Sequence, residues 1–407
     1  MYKSIKIDKG DSMDKSKIKI IIFINFITLA TFNMAHPVTP TLINELRLPS
    51  YMFGVLYSTM AVAQFVMAPI WGSMSDIKGR KLFLIIGVVG YGISQLGFGY
   101  AQSTSLILLF RILAGAFSVG FITASTAYIS DVSSKEERVK YMAYNTAAFS
   151  IASSVGALLG GSIGSLGYKY AFLWQCILSM IVAGVIYIVV KETIYERSGK
   201  IKIYLHHLKP SKKSIDLRST IGIMMIVMTL VTIATTSYNS TINYYVESVL
   251  NMPTTVNGMI MAVAGVIALI MNLFVNPYLG KRFDEKKSIV IALSVAGLTI
   301  IIASLSSNMI IALGFLSIFI ASTALVTPIQ QSIVSKLAKN NYGEIMGIQG
   351  SFKALGMVTG SLLSGFIFDY GNKLPFILGG ICCIVAFIVL SKTTLDYVIE
   401  RDRRDII

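Results

Sequence analysis

Apolar stretches of about 20 residues, each closed off by a short polar segment, recur along almost the whole chain. They fall near 18–43, 50–74, 82–100, 104–130, 141–165, 170–190, 219–246, 255–280, 288–306, 309–335, 344–369 and 373–391. At 1.5 Å per helical residue, about 20 residues cross a hydrocarbon core of about 30 Å. Barrel strands would instead show about ten residues of strict alternation, and no such pattern is present. The periodicity predicts an all-α membrane protein with twelve transmembrane helices.

Composition agrees. Of the 407 residues 54% are hydrophobic and only 14% are charged, too few to cover a soluble surface of this size. The sequence carries 35 Lys and Arg, and thirty of them lie in 1–19, 75–81, 131–140, 191–218, 281–287, 336–343 and 392–407. Only Arg47, Lys169 and Lys373 fall on the opposite side, while Arg111 and Lys353 lie within spans. This bias predicts a multi-pass cell (plasma) membrane protein with both termini cytoplasmic. Spread over seven segments, the basic residues do not form a nucleic-acid surface, so the net charge of +15 reads as an orientation signal. The expected partners are the lipid bilayer and a small molecule, with the chain a monomer.

The chemistry of common enzymes is missing. Cys176, Cys382 and Cys383 sit inside apolar runs, which suits neither a disulfide framework nor a metal site. No Ser/His/Asp set and no GxxxxGK[ST] loop occurs, so no enzyme activity, cofactor, metal or nucleotide use is expected. The first apolar run follows a Lys-rich start without a small-residue cleavage site and reads as a retained span.

The charged segment 191–218 divides the spans into two sets of six, predicting bundles at 1–190 and 219–407 joined by a cytoplasmic linker. His206 and His207 in that linker read as solvated residues. The halves echo each other: Gly156 and Gly160 recur as Gly356 and Gly360, an offset of 200. Small residues in corresponding helices mark a repeat-built transporter, and Gly115 and Gly161 are further candidates for close helix packing.

After the second span comes GSMSDIKGRK, residues 72–81. This resembles the loop signature of the major facilitator superfamily, with Gly72, Asp76, Gly79, Arg80 and Lys81 at matching positions. GKRFDEKK in the second half is a degenerate echo carrying Asp284. The resemblance implies a fold of two six-helix bundles around a central cavity. It also implies a gate in which Gly72 permits close helix approach, Asp76 faces a helix N-terminus of the other half and Arg80 pairs with Asp131. FRILAGAFSVG resembles the family's second signature, in which the arginine, here Arg111, is associated with proton coupling. ASSVGALLGG and FNMAHPVTP resemble elements of twelve-span drug–proton antiporters, with Ala157 in place of the usual proline. Pro37 and Pro40 predict a bent, cavity-lining first helix. The implied activity is proton-coupled efflux of drug-like or amphipathic molecules, as in multidrug or tetracycline exporters.

Charge within the spans narrows the candidates. Arg111, Lys353 and His36 are expected to handle charge or protons; a free His titrates near neutrality. The twenty Asp and Glu all fall in loops or near span ends, Glu45, Asp131, Glu247, Glu344 and Asp369 lying nearest the core. Expected substrate-lining residues are Asn25, Asn33, Gln64, Tyr238, Asn239, Asn243 and Asn272. Two internal cations without an internal acid leave open a second reading, transport of an anionic metabolite through Arg111 and Lys353.

Overall fold

The computed structural model describes residues 15–134, 137–193, 217, 219–337 and 342–393. The expected linker lies outside the described residues except for 191–193 and 217, as do His206 and His207. Helices run in the order α1 (Lys15–Asn33), α2 (Thr39–Glu45), α3 (Met52–Lys78), α4 (Arg80–Tyr100), α5 (Thr104–Val132), α6 (Arg138–Gly164) and α7 (Tyr168–Val189). The second set comprises α8 (Thr220–Ser248), α9 (Thr254–Ile270), α10 (Asn276–Arg282), α11 (Glu285–Leu305), α12 (Met309–Leu337), α13 (Tyr342–Phe368) and α14 (Leu374–Ser391). α1 with α2 forms one span, and α9 continues into α10 through a π turn at Met271–Val275. The described residues contain twelve helical spans apolar and long enough to cross a membrane, and no strand.

Local chemistry sets the boundaries. Ser103 caps α5, Ser219 caps α8 and Asp284 caps α11, each side chain accepting a hydrogen bond from a first-turn N–H. Gly79 turns the chain between α3 and α4 at φ +102°, a backbone region that favours glycine. The first span breaks where Pro37 removes a backbone donor. The carbonyls freed at the break find side chains: Tyr91 donates to the Phe32 carbonyl at 2.8 Å and Gln175 to that of Thr31 at 2.7 Å. Such satisfaction is obligatory where no water reaches.

Packing rests on small residues. A Cβ at Gly156 would collide with the Ala30 carbonyl of α1 and one at Gly160 with the Met34 carbonyl just beyond it, and one at Gly356 or Gly360 with Thr229 or Ile233 of α8. Two Gly–Gly crossings join the first six spans to the last six. Gly54 of α3 meets Gly365 of α13, and Gly161 of α6 meets Gly258 of α9. Both partners of one crossing sit 204 positions from their counterparts in the other, Gly54 against Gly258 and Gly161 against Gly365. Across these four helices the structural repeat therefore runs at 204, not 200, and the mate of Gly156 is Gly360. A stripe of small residues repeating every four positions looks unchanged after a slip of one turn, which hides the true register.

Candidate functional site

The two ends of the molecule differ in how the halves meet. At the end remote from the 72–81 loop, polar pairs cross from one half to the other. Thr41 meets Thr254 at 3.3 Å, Asn44 donates to Ser248 at 3.0 Å, and Asn257 donates to the Pro37 carbonyl at 3.3 Å. Ser50 donates to Asp369. Phe53 stacks on Tyr244 at 5.2 Å and meets Phe368 edge-on at 5.3 Å, which completes an aromatic plug. This end is shut.

At the loop end, the polar contacts among the described residues stay within each half. Arg80 pairs with Asp76 at 2.5 Å and Asp131 at 3.0 Å, and donates to Ser75. Glu192 accepts from the backbone N–H groups of Arg80 and Lys81 at 2.8 and 3.2 Å, a carboxylate at the positive end of α4. The Lys81 ammonium donates to the Tyr187 carbonyl at 2.6 Å. Two expectations need correction. A Cβ at Gly72 would meet nothing within 4 Å among the described residues, so none of them crosses closely there. Asp284 is no counterpart of Asp76: it caps α11, the place that Gly79 holds before α4. Asp76 pairs with Arg80 of its own half; the side chains of 342–344, at the start of the helix it was expected to face, lie outside the described residues.

Directly beneath the shut end lies a cavity of about 170 Å³ between the halves. His36, Gln64 and Arg111 line it from the first half, and Asn239, Asn243 and Met357 from the second. Arg111 is only 5% exposed. It donates to Thr39 at 3.0 Å, approaches the Met60 sulfur at 3.9 Å and stacks 3.8 Å from the Phe98 ring centre. Its Nε has no acceptor, and no carboxylate pairs with it among the described residues. Gln64 donates to Ser118 at 3.1 Å, which fixes its amide at the wall. Lys353 lies one turn before Met357 on the stripe that reaches Ser361 and Gly54. It is exposed, with no acceptor among the described residues. That stripe faces the space between the halves, so Lys353 looks toward the loop end of the same cleft.

Other expected lining residues do not border this cavity. Asn25 donates to Asn145 and accepts from Ser125, both at 2.7 Å, inside the first half. Asn33 donates to the Leu29 carbonyl and accepts from Ser153. Tyr238 is wedged between Phe319 and Phe376 within the second half. Asn272 donates back to the Ala268 carbonyl beside the π turn. These corrections share a cause: one residue turns a helix by about 100°, so neighbours such as Tyr238 and Asn239 face different surroundings.

Glu247, an acid at the end of its span, sits in the shut end. Its carboxylate contacts Thr41 and Asn44 of the first half and accepts from Asn257 at 3.4 Å. An acid one residue before the end of α8 gives only this signal in sequence.

Residues 21–274 and 224–400 match the family model of the Major Facilitator Superfamily. The chain is 24% identical to multidrug resistance protein 2 of Bacillus subtilis (strain 168) over 381 residues, 92% of this chain and 94% of that protein. It is 25% identical to the class H tetracycline resistance protein of Pasteurella multocida over 411 residues, 95% of this chain and 100% of that one. Among solved structures, a bacterial homolog of the human lysosomal transporter Spinster superposes with a TM-score of 0.75 at 13% identity, covering 94% of this chain and 97% of that one.

Proposed function

Because this chain belongs to the Major Facilitator Superfamily, we propose that it is a secondary active exporter that moves drug-like or amphipathic small molecules out of the cell by proton-coupled alternating access. The bundles 1–190 and 219–407 rock about the cavity in the cell membrane, with both termini and the 72–81 loop in the cytoplasm. One observation carries the reading: the cavity is closed at one end by pairs between the halves, while the polar contacts described at the other end stay within each half. That is the arrangement of a state loaded from the loop side. The Arg80, Asp76 and Asp131 cluster gates the loop side, and Arg111, His36 and Lys353 handle charge. Relatives named for multidrug and tetracycline resistance support export.

A second reading concerns substrate charge. Among the described residues Arg111 faces the cavity without a carboxylate partner and no acid lines that cavity, which favours an anionic or carboxylate-bearing substrate. Purified protein in liposomes with an imposed inside-acid gradient, offered cationic, neutral and anionic compounds, tests both. Gradient-dependent movement of cationic dyes supports drug export and removes the anion reading. Movement of anions alone, lost in Arg111→Gln, does the reverse. No gradient-dependent movement of any compound defeats proton coupling.

A further inference from the structure

Away from the central cavity, the second half carries a continuous apolar groove between α9 and α12. Its upper part, about 200 Å³, is walled by α8, α11 and α12 and ends at Lys373 beside α14. Its lower part, about 280 Å³, lies between α9 and α12. The two share Ile260, Leu313 and Leu316. Met259 and Val263 on its rim are 57% and 54% exposed on the span's outer surface, so the groove opens sideways, onto what would be lipid.

Its dimensions and charge name an occupant. From Met309 at the mouth to Ile320 at the floor, α12 descends about 16 Å, half of a hydrocarbon core of about 30 Å. The groove is therefore one leaflet deep. At its mouth, where the spans end and headgroups begin, stand Lys373 and Ser307, neither of which has an acceptor among the described residues. Among the described residues no acidic side chain lines either part. Below the mouth the walls are almost wholly apolar. A cation and a hydroxyl over an apolar slot of leaflet depth match an anionic phosphate headgroup above one acyl chain. A void of this size between packed helices would otherwise forfeit its dispersion contacts.

We propose that this groove is a specific phospholipid site, with Lys373 and Ser307 holding the headgroup phosphate and one acyl chain lying between α9 and α12 against Ile260, Leu313 and Ile320. The site is separate from the central cavity, uses none of its residues and does not depend on the direction of transport.

The test is native mass spectrometry of the full chain released from nanodiscs of equal parts phosphatidylglycerol and phosphatidylcholine. The wild type should retain one phospholipid, with phosphatidylglycerol preferred. Lys373→Ala should lower phosphatidylglycerol retention about tenfold, the order of one lost charge-assisted hydrogen bond. Leu313→Trp, which fills the slot and leaves the mouth intact, should abolish retention of both lipids. Size-exclusion profiles establish that each variant is folded. Retention unchanged in both variants overturns the site, as does a folded wild type that keeps no lipid. Displacement of the bound lipid by an amphipathic drug at its transported concentration would also overturn it, by making the groove a drug entrance.

Discussion

The two halves carry the same crossing and pack it differently. In the first half α5 presses on α3: a Cβ at Gly115 would lie 2.5 Å from the Met60 carbonyl, and Arg111 one turn away reaches Thr39. α5 begins at Thr104 and α12 at Met309, a local offset of 205 that α4 and α11 share, so Arg111 corresponds to Leu316 and Gly115 to Ile320. In the second half these larger apolar side chains line the α9–α12 groove instead of sealing it. Glycine lets backbones touch, and dispersion then makes the contact firm. Isoleucine at the same place keeps the helices apart. The pair teaches that a duplicated fold can place a fixed charge in one half and leave a deformable seam in the other.

The largest effect should come from forcing the first crossing to resemble the second. Gly115→Leu puts a branched side chain onto the Met60 carbonyl with no room to move, and should cost about 3 kcal/mol or more. Thermal unfolding in detergent would show a large fall, or no folded protein. Ile320→Ala, at the matching place, should cost about 1 kcal/mol or less, because its side chain borders a groove rather than a filled core. Equal losses at the two positions would abolish the asymmetry.

Next in size is the charge. Arg111→Gln should leave folding near wild type and reduce transport about 10- to 100-fold, the worth of a hydrogen bond to a charged group. Arg111→Lys should recover little, since a point charge lacks the planar fork that reaches Thr39 while stacking on Phe98. Adding Leu316→Arg to Arg111→Gln should not restore transport, because that position opens on the groove. Recovery in the double variant would mean that the halves are interchangeable after all.

Much of this architecture was legible in the chain, and the limits were physical. Twelve spans follow from the thickness of a bilayer, and the break at Pro37 from a missing N–H. The pairing of Arg80 with Asp131 came with the resemblance of residues 72–81 to the family's loop signature, and the fold brings the start of α4 beside the end of α5. The repeat register was not readable, because glycine stripes at Gly156 and Gly356 match after a one-turn slip. Which side of α8 faces the cavity was equally hidden: Tyr238 is larger and polar-tipped, yet Asn239 lines the cavity. Glu192 lay beyond the last residue read as spanning, and only the fold brings it back over the start of α4.

Two smaller effects refine the contrast between the ends. Asp131→Asn removes one carboxylate from Arg80 while Asp76 remains, and the pair is partly exposed, so stability should change by less than about 1 kcal/mol. Transport should fall severalfold if the cluster gates the loop side; a wild-type rate would separate the cluster from gating. Lys286, which bonds the Thr393 carbonyl in the second half, gives the control: Lys286→Gln should do less.

The subtlest test lies at the shut end. Glu247 is the carboxylate that meets Thr41, Asn44 and Asn257 across the halves, with no basic partner among the described residues. Glutamine there keeps the shape and can still accept hydrogen bonds, so the shut state should survive with thermal stability changed by about 0.5 kcal/mol or less. What glutamine cannot do is exchange a proton. When the halves separate at this end, a carboxylate passes from neutral hydrogen-bonding neighbours into water, where its charged form is far better solvated. If this carboxylate exchanges a proton as the end opens and closes, Glu247→Gln should flatten the pH dependence of transport while leaving substrate binding at the Arg111 cavity unchanged. A wild-type pH profile in that variant would return proton coupling to His36, Arg111 and Lys353, and leave the shut end a plain steric gate.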